Sequence, residues 1–386
     1  MGDCMNSASR LHILDLLRGV AIVGTLATNI WIFSNPGSAT LMPMDQGQSV
    51  VEVLQSVFVN GNFLAMLTIL FGVGLYMKYQ NSKASEVPWI PFYLLTMFIL
   101  FIEGLFHFVF IFEYDILMTY AITGAIVAFL VQLKTKTITI WVIVTLSLHT
   151  FGILIYYMQT YIAFSDPTLY TAIQQIALET TSLYQFGTYF EQVLYRIENF
   201  FLLRSEAFSL IYGSIGLYLI GIRLYLAGAF NMDKKGILIQ KKLMFWGFGI
   251  GLPLNLLSLV PGGYFEIPVR FLFAPVLTIG YIGLIAWLMN RGALRWIQKQ
   301  FEVIGRTALS CYVLQSILAS LYFYSFGLGF IGVDGILAVV VGVVLISICM
   351  LGFAHLTLKT FGVGPLEWLW KTLSKMPFKN RRYSAK

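Results

Sequence analysis

Ten stretches of about twenty residues carry almost no charge, and no other property of this chain restricts its fold so strongly. They run approximately over 12–33, 60–78, 89–111, 115–133, 138–158, 207–228, 243–260, 267–289, 303–324 and 336–357. About 20 apolar residues in helical form span the hydrocarbon core of a bilayer. Inside that core only helices and closed barrels satisfy every backbone N–H and C=O. The pattern predicts an all-α polytopic membrane helix bundle of about ten transmembrane helices, a single domain over 1–386. Composition agrees: 11% of residues are charged and 58% hydrophobic, with mean hydropathy +0.79. Soluble proteins are about 25% charged. The first span is too long for a signal-peptide core and is followed by others, so an uncleaved first helix is expected.

The loops set an orientation. With a cytoplasmic N-terminus, nineteen of the 25 Lys and Arg residues fall on the inner side. Only Arg196, Arg204 and Arg270 fall outside, while Arg18, Arg223 and Arg306 lie near the inner ends of helices. This is the positive-inside bias, and it predicts a cell-membrane protein with both termini cytoplasmic. It also explains the net charge of +7 without nucleic acid. Two outer segments are more than turns. "QSVVEVLQSVFV", within the cation-free 34–59, predicts an interfacial helix. Residues 159–206 mix apolar residues at helical spacing with polar ones, which predicts one or two external amphipathic helices lying on the bundle or capping a cavity. Residues 361–386 read as a cytoplasmic interfacial helix, "GVGPLEWLWKTL", with Trp368 and Trp370 as anchors, followed by a basic tail. Cys4, Cys311 and Cys349 have no metal-ligand spacing, so neither a metal nor a disulfide framework is expected.

Polar residues inside the spans carry the functional signal. A charge at the bilayer centre costs roughly 2.5–3.5 kcal/mol on insertion scales, so such residues face a cavity or a neighbouring helix. In "LDLLRGVAIVGTLATN", Arg18 and Asn29 are eleven residues apart, about three helical turns, and share one face roughly 16 Å long. Asp15 falls near that face and suits a local partner for Arg18. In "IEGLFHFVFIFEYDILMTYA", Glu103 and His107 share a face at i, i+4. Asp115 opens the next span from the outer surface, at a depth similar to Asn29 and His107. In "IGRTALSCYVLQS", Arg306 marks the inner end of span nine, followed by Tyr312, Gln315 and Ser316 at i, i+3, i+4. Plainer roles also fit: Arg18 as a side chain snorkelling to headgroups, Asn29 and the Gln315–Ser316 pair as interhelical glue, His107 as a structural pair. His149, mid-span, reads as packing or an interhelical hydrogen bond.

At these residues the chain resembles the YeiB-like polytopic membrane proteins of bacteria. The resemblance spans nearly the whole length. It rests on "LDLLRGVAIVGTLATNI", "GNFLAMLTILFGVGLY", "EGLFHFVFIFEYDILMTYAITG", "VIGRTALSCYVLQSILASLYFYSFGLG" and "GPLEWLWKTL". That family in turn resembles the transmembrane acyltransferases, which include the type-three O-acyltransferases of bacterial polysaccharides and the lysosomal heparan glucosaminide N-acetyltransferases. The resemblance implies transfer of an acyl group from cytosolic acyl-CoA to an acceptor, such as a glycan, on the far side of the membrane. In the O-acyltransferases a span-one Arg is followed eleven residues later by His; here Asn29 follows Arg18, as in the N-acetyltransferase branch. An amide is no general base, so the base has to come from elsewhere, and His107 is the candidate by depth. Asn62 also departs from the "GKF" pattern, where a cation is expected.

On this reading Arg18 and Arg306 attract the CoA phosphates or the pantetheine amides, with Tyr312, Gln315 and Ser316 also on the substrate side. His107, oriented by Asp115 or Glu103, takes the acceptor's proton, and Asn29 donates to the developing oxyanion. Membrane lipids surround the bundle. The rival readings are a transporter or lipid-handling protein using the same polar stripe as a path, and a sensor or scaffold using 159–206 as a docking segment.

Overall fold

The computed structural model describes residues 2–39, 49–333 and 335–375. All the regular elements among them are helical. The first half runs α1 (Gly2–Ser34), α2 (Val50–Phe58), α3 (Asn62–Ala84), α4 (Trp89–Phe110), α5 (Leu117–Leu130) and α6 (Thr135–Ser165). Three helices with many polar residues follow: α7 (Pro167–Phe186), α8 (Tyr189–Glu198) and α9 (Phe200–Ser209). The second half runs α10 (Ile211–Ala227), α11 (Lys234–Asn255), one-turn α12 (Glu266–Pro268), α13 (Ala274–Asn290), α14 (Arg295–Arg306), α15 (Ala308–Phe323), α16 (Gly335–Phe361) and α17 (Pro365–Lys375). The basic residues beyond Lys375 and residues 40–48 lie outside the described residues.

Each of the ten apolar stretches is helical, but they are not ten equal rods. Among the described residues, seven helical stretches are long and apolar enough to cross a membrane. The α14–α15 pair passes the same test as one span broken by an 88° bend. Helices α5 and α10 have only 14 and 17 residues. At about 1.5 Å per residue α5 is roughly 21 Å long. The expected span 115–133 therefore begins as a non-helical loop, and 303–324 is bent at Thr307 rather than straight.

α1 runs through the middle. Ile13, Leu14, Leu17 and Ala21 are fully buried, and the helix packs against α3, α14, α15 and α16. Glycines permit its closest approach. A Cβ on Gly19 would strike the Phe301 carbonyl, and one on Gly305 would strike the Asp15 carbonyl. That contact sets Arg18 of α1 beside the α14–α15 bend. By contrast α6 and α11 are peripheral and present apolar side chains such as Ile143, Phe151 and Phe245 to the surroundings, as a lipid-facing helix must.

Two local devices follow from single residues. Pro275, at the start of α13, has no N–H to return to the Phe271 carbonyl, and residues Val269–Phe273 form a π turn. His149 of α6 fills the gap, its Nε2 lying 3.2 Å from the Phe271 oxygen. This is the interhelical bond expected of that histidine. Two of the shorter helices begin on reciprocal caps: Ser49 with Glu52 for α2, and Thr188 with Glu191 for α8. Asp166 caps α7 ahead of Pro167; the N–H groups of Thr168 and Leu169 hold its carboxyl below the usual range.

Candidate functional site

A cavity of about 390 Å³ lies where α1, α3, α4, α5, α15 and α17 meet, within the roughly 300–1,000 Å³ of small-molecule sites. Arg18, Lys78 and Arg306 line it together with Asp15 and Glu367. Its remaining walls are apolar and aromatic, with Phe71, Met97, Tyr93 and Tyr312 among them. Arg18 Nη1 donates to Asp15 Oδ1 at 3.0 Å, the local pairing that the i, i+3 spacing predicts. Glu367 has a structural task as well. The 88° bend leaves the first N–H groups of α15 without partners. Its carboxylate accepts from the N–H of Leu309 (2.8 Å) and Ser310 (3.2 Å) and from the Ser310 hydroxyl (2.5 Å). Negative charge there also suits the helix dipole. α17 is thus pinned into the bundle. Trp368 is exposed, as an anchor would be, but Trp370 turns inward, lines the cavity and carries the Lys78 ammonium 4.0 Å above its ring.

At the other end of the α1 stripe, the loop 111–116 between α4 and α5 is buried. A buried loop must find partners for its backbone polar groups, and helices α7–α9 supply most of them. Arg196 of α8 donates to the Ile111 carbonyl at 2.8 Å, and Ser320 of α15 donates to the same oxygen. Arg204 of α9 donates to the carbonyls of Glu113 (3.3 Å) and Asp115. The Tyr184 hydroxyl of α7 donates to Glu113 Oε2 at 2.7 Å. Phe112 stacks on Phe33 of α1 at 4.1 Å between centroids. The loop's placement thus belongs to α7–α9, three helices where one or two were expected.

This loop helps to line a smaller cavity of about 90 Å³ with Thr25, Thr28 and Asn29 of α1, Arg204 and Arg270. Asp115 and Glu113 both face it. Two residues, Ile116 and Tyr120, line both cavities and form the wall between them. The Tyr120 hydroxyl lies 2.8 Å from the Thr68 hydroxyl. Both hydroxyls bond the Leu64 carbonyl, at 3.2 and 2.8 Å.

The sequence-derived residues divide accordingly. Arg18, Arg306 and Tyr312 share the larger cavity; Asn29 and Asp115 share the smaller one. His107 lines neither. Its side chain is 1% exposed, with Nδ1 3.2 Å from Asp115 Oδ1 and its ring 5.3 Å from that of Tyr312. Asp115 Oδ2 meanwhile accepts the Met118 N–H at 3.1 Å, fixing the carboxylate at the start of α5. Asp115 is therefore the acid that faces His107, within ion-pair distance but outside hydrogen-bond geometry; among the described residues no hydrogen bond joins Glu103 to His107, and Glu103 lines neither cavity. Gln315 and Ser316 are buried and also line neither, Ser316 bonding back to the Tyr312 carbonyl at 3.2 Å. Lys78, Glu113, Tyr120, Arg204 and Glu367 are site residues that the sequence reading passed over. Their signal was faint but present: two of only three outward loop cations, Arg196 and Arg204, are those that turn inward.

Residues 224–377 match the family described as "Protein of unknown function (DUF418)". The "Uncharacterized protein YxaH" of Bacillus subtilis (strain 168) is 25% identical over 386 residues, 94% of each chain. The "Uncharacterized protein YeiB" of Escherichia coli (strain K12) is 26% identical over 389 residues, covering 94% of this chain and 95% of that one. No solved structure matches the chain. The YeiB-like resemblance carried by the five motifs holds along nearly the whole length.

Proposed function

We propose that this YeiB-like membrane protein is an acyltransferase, moving an acetyl-sized acyl group from cytosolic acyl-CoA to a hydroxyl or amine acceptor at the opposite face. The observation that supports this reading is the pair of cavities meeting at one wall, Ile116 and Tyr120. One cavity is rich in cations and apolar walls. The other joins a carboxylate to an amide. Arg18, Lys78 and Arg306 suit the anionic end of CoA, with guanidinium forks matched to phosphate. The apolar walls suit the pantetheine arm, which brings the thioester to the wall. The abundance of loop cations at the Arg18 end supports placing that end in the cytoplasm.

With Tyr120 swung aside, the acceptor oxygen attacks the thioester carbonyl and its proton passes to Asp115. Asn29 donates to the oxyanion. The C–S bond then breaks, and CoA leaves as a thiolate that recovers the proton. Asp115 meets the acceptor, whereas His107 acts through it, its ring packed against the carboxylate at ion-pair distance. His107 is on this reading a positioning residue.

Purified protein with radiolabelled acetyl-CoA tests the proposal. Binding should fall in Arg18→Ala and Arg306→Ala. Asp115→Asn should keep binding and lose thioester hydrolysis or exchange. Absence of any acyl-CoA binding by folded protein overturns it. A transporter draws on the same closed wall between two opposed cavities, and it predicts substrate flux with the thioester left intact.

A further inference from the structure

A third cavity, about 310 Å³, lies on the flank of the bundle between α3, α6, α10 and α13. Its walls are chiefly aliphatic: Leu146 on α6, Leu217 and Ile220 on α10, Val276 and Ile279 on α13. Thr150 on its rim is exposed and Val276 is half-buried, so the cavity opens sideways where α6 faces lipid. It is not isolated from the site. Gly61, Leu64, Thr68, Leu210, Ser214 and Arg270 line both this cavity and the small polar one that holds Asn29 and Asp115. These residues form the partition that the two cavities share, so Arg270 stands between the lipid-side cavity and the one that holds the carboxylate. The glycine matters here. Gly61 has φ +77, and a Cβ would strike the Arg270 carbonyl, so the start of α3 lies directly against the segment bearing that arginine.

We infer that this lateral cavity holds a chain of an anionic phospholipid whose headgroup carries a hydroxyl, as in phosphatidylglycerol. The phosphate lies at Arg270 and the headgroup reaches Asp115. Three features select this occupant. The flank is apolar and opens where a membrane lipid resides. An arginine stands at the junction, a fork suited to phosphate. The polar cavity, about 90 Å³, is below the range of ordinary small-molecule sites and suits a glycerol-sized group over an oligosaccharide. As an acceptor role this rests on the acyl-transfer reading, in which the headgroup hydroxyl gains the acyl group and CoA leaves as the free thiol; as a binding site it does not.

The test uses the full-length protein in nanodiscs containing phosphatidylglycerol with a photoreactive acyl chain, against phosphatidylcholine carrying the same chain. Phosphatidylglycerol should label the walls formed by Leu146, Leu217 and Ile279 above the rest of the lipid-facing surface, and unlabelled phosphatidylglycerol should compete. Arg270→Gln should abolish the preference over phosphatidylcholine. Thr150→Trp, at the exposed rim, and Val276→Trp should each block the labelling, so that one misfolded variant does not decide the matter. Labelling spread evenly around the bundle, or equal for both lipids, overturns the inference. Acetyl-CoA turnover is measured separately: turnover with uniform labelling sinks the lipid site alone, and specific labelling without acetyl-CoA binding sinks the acyltransferase alone.

Discussion

Replacing Arg204 with Met tests whether the external helices hold the site together. The guanidinium donates to the carbonyls of Glu113 and Asp115 and is 3% exposed. Met retains an apolar stem against Phe108, whose ring centroid lies 5.1 Å from the Arg204 Cζ. The loss is then mainly the two charge-assisted bonds and the two carbonyls left behind. Hydrogen bonds to charged groups contribute about 1.5–3 kcal/mol each, so destabilisation of about 3–5 kcal/mol is expected. Released from its clamp, the loop carries Asp115 away from Asn29. A misplacement of about 1 Å costs on the order of a hundredfold in rate, so transfer falls by about that factor. Acetyl-CoA binding persists, because Arg18, Lys78 and Arg306 lie on other elements. Unfolding is followed with a thiol-reactive fluorophore in a background with Cys4 and Cys349 replaced by Ala, so that the fully buried Cys311 is the reporter. An unchanged midpoint together with unchanged transfer would refute the clamp.

Four further outcomes follow from named contacts. Arg18→Lys keeps the charge but loses the planar fork, so acetyl-CoA affinity should drop about tenfold if pairing with phosphate is bidentate; unchanged affinity in a binding assay returns Arg18 to snorkelling. Glu367→Ala strips the carboxylate from the start of α15 and should cost about 1–2 kcal/mol in thermal unfolding, with Glu367→Gln milder. His149→Leu leaves the Phe271 carbonyl without its donor and should cost about 1–3 kcal/mol by the same measurement. Reporter fusions at residues 83, 136 and 297 should read cytoplasmic and one at 180 external; a cytoplasmic signal at 180 breaks the proposed topology.

The helical framework was legible because uncharged runs of about twenty residues leave a chain few alternatives, and the α1 stripe was legible because 3.6-residue periodicity converts spacing into direction. Two kinds of feature escaped. The first is where regular geometry stops. Nothing in "EVIGRTALS" announces a bend of 88°, because the residue that stabilises it, Glu367, arrives 60 residues later in the sequence. The second is long-range satisfaction of backbone groups. Arg196 and Arg204 counted as external loop charges until the buried loop 111–116 appeared beneath them. His107 shows the limit of arguing from depth: the depth places it near Asn29 and Asp115, yet it is the acid, not the histidine, that reaches a cavity.

The wall at Tyr120 has consequences of its own. A continuous polar path through a bilayer would leak ions, so the two cavities must be separated at rest. Ile116 supplies an apolar plug, and Tyr120 is held by Thr68 and the Leu64 carbonyl. Opening breaks about two neutral hydrogen bonds, each contributing roughly 0.5–1.5 kcal/mol net, or about 1–3 kcal/mol in all. An open state at that cost is populated at about 0.6–16%. A ligand shifts that balance only through contacts it makes better in the open state. Even a millimolar ligand carries about 4 kcal/mol of binding free energy, of which half, made across the wall, suffices. A thioester that reaches past Ile116 makes such contacts, whereas free CoA, ending at its thiol, makes fewer. The wall thereby couples opening to the acylated donor, and Tyr120→Phe, which drops the bonds to Thr68 and the Leu64 carbonyl while keeping the ring, should raise hydrolysis of acetyl-CoA by water and its affinity together, with the affinity of free CoA changed less.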